Sequence, residues 1–154
     1  MGTNFYLITK DKEACLSVSP YKYYLTDVPY FAYEIHIAKT SAGWLPLFEK
    51  HTGISSVRDL KEIYATGKFD ISDEYGKIYN WGEFDKRVLQ HNGGIYGVIN
   101  TTPVEIDRTS SSLFYDKNMP DHTPVSHFEY NFGEYAKEYF KDPDGYEFTD
   151  HEFS

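Results

Sequence analysis

The sequence predicts an α+β fold, a mostly antiparallel sheet of about four to six strands with two or three short helices packed on one side. Three observations lead there. Residues Phe31 to Thr40 alternate strictly between apolar and small or polar side chains, the mark of a half-covered strand. Two later segments begin on a helix-capping residue and continue with apolar residues at helical spacing. The strand-like runs are joined by small-residue turns, which favours hairpins over long crossovers and leaves a parallel α/β arrangement as the alternative.

In chain order, Thr3 to Thr9 reads as a first strand, with Phe5 and Leu7 on one face. Lys10 to Pro29 mixes Ser, Pro, Lys and Asp with aromatics and reads as a long connection or a ragged hairpin. In Phe31–Thr40, the residues Phe31, Tyr33, Ile35 and Ile37 share one face, and Tyr33, Ile35 and Ile37 are expected inward beside Phe5. Ser41-Ala42-Gly43 is a short turn into a returning strand over Trp44 to Glu49, with Trp44 expected as a scaffold residue. Ser56 caps a helix over Val57 to Thr66 that Gly67 stops. Phe69-Asp70-Ile71 pairs back with Lys77-Ile78-Tyr79 across the turn Asp73 to Gly76, where Tyr75 is also expected to be scaffold. Asn80 with Glu83 forms a capping box for a second helix, which ends at Gly93-Gly94. Ile95 to Asn100 reads as a strand, Thr101 to Pro124 as a polar surface loop, and Phe132 to Phe140 as a third helix ended before Pro143. The 154 residues fit one domain, 1–154, with an acidic, aromatic C-terminal segment from about 121 to 154.

Composition narrows the function. Aromatic residues make up 18% of the chain, with fifteen Tyr, which suits both a core and an adhesive surface. A formal charge of −9 argues against direct nucleic-acid binding and against anionic membranes, since both need clustered Lys and Arg. No long apolar run and no basic-then-apolar leader is present, so a cytosolic protein is expected. Cys15, the single cysteine, reads as a buried thiol. Between Asp121 and Ser154 nine acidic residues face two lysines, so most of the net charge sits at the C-terminal end. It is either a solvated face or an acidic, aromatic surface for a basic partner.

The opening Met1-Gly2-Thr3-Asn4-Phe5-Tyr6-Leu7 carries a resemblance, as do Ile35-His36-Ile37-Ala38-Lys39-Thr40-Ser41-Ala42-Gly43-Trp44, the run Ile71 to Gly76 continuing to Glu83-Phe84, and the ending Asp144 to Phe148 with Glu152-Phe153-Ser154. Together they resemble a family of small, largely uncharacterised phage and prophage proteins whose central motif reads H-I-G-K-S-S-A-G-W. Here Ala38 replaces the glycine and Thr40 a serine. Relatives carry paired cysteines before the motif, suggestive of a zinc knuckle; only Cys15 stands in that interval here, so no metal and no cofactor is expected. The resemblance implies a phage origin and an accessory role in infection, and names no reaction.

His36, Lys39, Thr40, Ser41 and Gly43 at one hairpin end bring ammonium, hydroxyls and turn amides together, which can hold a phosphate or carboxylate; a structural polar turn is the plain alternative. Asp70, Asp73 and Glu74 fit a solvated turn better than a catalytic carboxylate pair. The six histidines lack metal spacing on any expected helix, although His122 and His127 could converge by folding. No nucleophile elbow or glycine-rich dinucleotide loop occurs. The expected function is therefore a non-enzymatic inhibitor of a bacterial defence system, such as an anti-CRISPR protein acting in the host cytoplasm. It would meet a basic host protein through Asp142, Asp144, Tyr146, Glu147, Asp150 and Glu152. The alternative is a module that sequesters a nucleotide at His36–Ser41.

Overall fold

The structure is a computed structural model that describes residues 2–26, 31–91, 124–130 and 138–151. It has the expected α+β architecture. Among the described residues, eight strands form one sheet: β1 (Gly2–Thr9), β2 (Tyr24–Thr26), β3 (Ala32–Ser41), β4 (Leu47–Glu49), β5 (Asp70–Asp73), β6 (Ile78–Tyr79), β7 (Tyr139–Lys141) and β8 (Glu147–Thr149). Their order is β6-β5-β1-β3-β4-β8-β7, with β2 also on β3. Every pairing is antiparallel except β4 with β8.

Register defines the two faces. Phe5, Ala38, Phe48, Phe148 and Phe140 lie directly opposite one another across five strands, and Ile35, Leu7, Ile71 and Tyr79 form a parallel row. Opposed residues share a face, so these rows are the core face. Phe48 stacks on Phe148 at 5.2 Å and Phe148 on Phe140 at 5.4 Å, which gives the sheet an aromatic spine. Three helical segments contribute to the same core: α1 (Lys12–Val18) through Ala14, Cys15 and Val18; α2 (Val57–Ala65) through Val57 and Leu60; and α3 (Trp81–Phe84) with the π turn Asp85–Leu89 through Phe84 and Val88. A fourth short helix, α4 (His127–Tyr130), contacts β7 and β8.

Both caps read from sequence are formed. Ser56 accepts from the Asp59 amide, and Asn80 and Glu83 exchange capping-box bonds. Between Lys10 and Pro29 the chain forms a helix the sequence does not announce, α1, capped by Asp11, and then β2, which pairs antiparallel with β3 as the hairpin alternative expects. Seven residues give less than two turns, too few for periodicity to stand out. Trp44–Glu49 is a strand only from Leu47; Trp44 itself makes a single bridge to Val125. Phe31 lies outside β3 and is 68% exposed, and Tyr75 is 70% exposed rather than scaffold. Tyr139 and Phe140 belong to β7, not to a helix, because Asp142-Pro143-Asp144-Gly145 turns the chain back into β8, with Gly145 at φ 88°. The strand expected at Ile95–Asn100, the loop at Thr101–Pro124 up to residue 123, and residues 132–137 of the expected helix lie outside the described residues.

Candidate functional site

A bulge in β3 decides what the hairpin motif can do. Phe5 opposes Ala38 and Tyr6 opposes His36, so Ile37 is an extra residue and the alternation shifts by one. As a result His36, Lys39 and Ser41 all fall on the face opposite the core, although a spacing of three would otherwise separate His36 from Lys39. Thr40 goes to the core face, where its hydroxyl accepts from Arg87 Nη1 at 3.2 Å. Arg87 also reaches Thr3 Oγ1 at 3.3 Å and lies over the Phe5 ring. Gly43, at φ 86°, forms the turn. The five expected contacts are thus divided between two faces rather than gathered in one pocket.

On the second face, His36 packs against Tyr6 at 4.8 Å and its Nε2 meets Asn4 Oδ1 at 3.1 Å. Burial, then Glu34 and Glu74, push the Tyr6 phenol up to about 12. Lys39 is half-buried, and desolvation lowers its ammonium from the usual range. Trp44 stacks on His127 at 4.6 Å, and burial together with Lys39 brings the His127 ring down to about 4. His122, the other half of the conceivable histidine pair, lies outside the described residues.

The acidic segment does not present one stripe. Asp142 and Glu147 are buried. Asp142 accepts from the amides of Val57, Asp144 and Tyr146, so it caps α2 and pins its own turn. Glu147 accepts from the Ser126 hydroxyl and, at 2.7 Å, from the His127 amide. These two correct the expectation of outward contact carboxylates, for a physical reason: unpaired backbone amides at a helix start and a covering segment draw acceptors inward. Asp144 and Asp150 do face solvent, Asp144 in a bidentate pair with Arg58 at 2.8 and 2.9 Å and Asp150 at 3.9 Å from Lys50. Tyr146 is half-buried against Phe48, and Glu152 lies outside the described residues.

Sequence reasoning missed two further groups. Ser19, His51 and Glu49 form a string: Ser19 Oγ to His51 Nδ1 at 2.8 Å, and His51 Nε2 to Glu49 Oε2 at 3.4 Å. All three are at most 2% exposed, so no substrate can reach the hydroxyl. Burial brings His51 down to about 4, so at neutral pH its Nε2–H donates to the His36 carbonyl at 2.7 Å. The single Ser19 proton is shared between Nδ1 and the Lys22 carbonyl. The string is an internal tie between α1, β3 and β4. Ser19 lies thirty-two residues from His51, so no local pattern signals the string.

The other group is at the β2 edge. Tyr21 is 91% exposed, Leu25 60% and Tyr24 48%, and Phe31, also exposed, directly precedes β3. The outer edge of β2 has no partner strand among the described residues. Lys22 ties this edge to the C-terminal segment, since its Nζ donates to the carbonyls of Lys50 and Asp150 and lies 3.5 Å from Glu49. No family model, curated protein or solved structure matches the chain. Among the described residues, no helix is long and apolar enough to cross a membrane.

Proposed function

We propose that the chain is a phage-encoded accessory protein that inhibits a bacterial defence system without catalysis, in the host cytoplasm, by binding a basic, nucleic-acid-handling protein such as a CRISPR nuclease. The observation that carries this reading is the exposed aromatic edge at Tyr21, Tyr24, Leu25 and Phe31, joined through Lys22 to the segment that holds Asp150. An unpaired edge strand that carries exposed Tyr24 and Leu25, with Tyr21 exposed just before it, leaves backbone groups and large side chains open to a partner, and Tyr combines a large ring with a polar tip suited to an interface. The net charge of −9 selects a basic partner and speeds its approach. The phage resemblance of the motif segments points to the same setting.

The reading is tested by titrating the protein into cleavage assays with a panel of purified CRISPR effector nucleases. Inhibition at stoichiometric protein, with an association rate that falls as salt rises from 50 to about 300 mM, is the expected result. Undiminished cleavage across the panel at large excess overturns it.

A further inference from the structure

Two clefts adjoin and share Leu89, Asp144 and Tyr146. The outer one, about 410 Å³, is walled by Trp81 and Asp85 and rimmed by Arg58 and Lys61. The inner one, about 240 Å³, is closed by Leu45, Pro46 and His91. The helix that lines both is irregular. After Phe84 it widens into a π turn, in which the Gln90 amide reaches back to Asp85, and such turns are uncommon and recur at functional sites. The turn brings Leu89 to both clefts and leaves His91 beneath the hairpin motif.

His91 is 4% exposed, and its Nε2–H donates to the Ser41 carbonyl at 3.1 Å. Nδ1 has no hydrogen-bond partner. Burial and the nearby Arg87 hold the ring neutral, so Nδ1 is a bare acceptor, and the Trp44 carbonyl also faces the ring. A buried polar atom of this kind calls for a donor. The remaining polar lining is acceptor-rich as well. Asp144 already holds one guanidinium, that of Arg58, and a carboxylate has room for more than two hydrogen bonds. Glu147, the second carboxylate of the inner cleft, accepts from the Ser126 hydroxyl and the His127 amide, while Asp85 stands in the outer cleft, close enough to Tyr146 to raise its phenol. The walls between these acceptors are the methylenes of Leu45, Pro46 and Leu89 and the Tyr146 ring. An anion in the inner cleft would meet the carboxylates of Asp144 and Glu147 and a lone pair; a long cationic side chain would lay its stem on the apolar wall and offer N–H donors at its tip.

We infer that the inner cleft receives an arginine or lysine side chain, with its N–H groups on His91 Nδ1 and Asp144. That the side chain comes from the basic partner rests on the proposed function; the preference of the cleft for a cation does not.

The probes are the capped tripeptides acetyl-Gly-Arg-Gly-amide and acetyl-Gly-Lys-Gly-amide, with the norleucine and glutamate versions as controls, followed by NMR of the His91 ring and the Leu89 and Tyr146 signals. Saturable shifts with the two cationic peptides, and none with the controls, are expected. Asp144→Asn, a surface change that leaves the fold intact, should weaken binding roughly tenfold, the scale of one lost charge-assisted contact. His91→Phe, checked for an unchanged melting temperature, should abolish the shifts. Absence of saturable change at His91, or equal response to norleucine, overturns the inference. Nuclease inhibition without cation binding at His91 would sink this inference and leave the proposed function standing. Saturable cation binding without inhibition of any nuclease would do the reverse.

Discussion

Asp142 and Asp144 are two residues apart in one acidic turn and lead opposite lives. Asp142 is buried, with three backbone amides on its two oxygens; Asp144 stands at the surface, paired with an Arg58 side chain that is 68% exposed. The same side chain, in the same composition, is structural in one place and available in the other. What differs is the demand around it: α2 begins beside Asp142 and its first amides need an acceptor, whereas only solvent and the exposed Arg58 guanidinium compete for Asp144. A count of negative charges therefore overstates the surface that can meet a partner.

The largest expected effect that would break this contrast is on Asp142. Asp142→Ala leaves three amides without acceptors, each worth about 1–3 kcal/mol when buried, so a loss of about 4 kcal/mol is expected in chemical unfolding. Asp142→Asn keeps an acceptor and should cost about half as much. A loss below about 1 kcal/mol would place Asp142 with the surface carboxylates.

Next in size is the acid response of His51, the inward group of opposite sign. Its folded value near 4 lies below the unfolded 6.5, so the unfolded chain binds the proton first as pH falls. Stability contributed by neutral His51 is complete above pH 6.5 and is lost as pH falls toward 4, at up to about 1.4 kcal/mol per pH unit. Unfolding midpoints at pH 7, 6 and 5 should decline more steeply for the parent than for His51→Asn; parallel slopes would contradict this. The smallest effect is expected at Asp144→Ala, under about 1 kcal/mol, since exposed pairs contribute little. A larger loss would make the Arg58 pair part of the fold.

Much of the scaffold was legible in the chain. The alternation of Tyr33, Ile35 and Ile37, the Ser56 cap and the Asn80–Glu83 box are local signals, and each formed its element. What escaped was non-local. The bulge at Ile37 depends on how β1 pairs with β3, and it alone puts His36 and Lys39 on one face. The inward turn of Asp142 depends on Val57, eighty-five residues away in sequence. Tyr135, Ala136, Tyr139 and Phe140 recur at helical spacing, yet Tyr139 and Phe140 form β7, whose pairing with β8 depends on the turn at Gly145. The exposed β2 edge sat inside a stretch whose short elements gave no period to read.

Under the proposed function, the protein works by contact through the edge that carries Tyr21, Tyr24 and Leu25. The most direct measurement compares Leu25→Asp and Tyr24→Asp with the parent, in nuclease inhibition and in melting temperature on the same preparations. Both side chains are exposed, so the folded state should change by less than about 0.5 kcal/mol, while inhibition should fall at least tenfold. Full inhibition by both variants, at unchanged melting temperature, would contradict the claim.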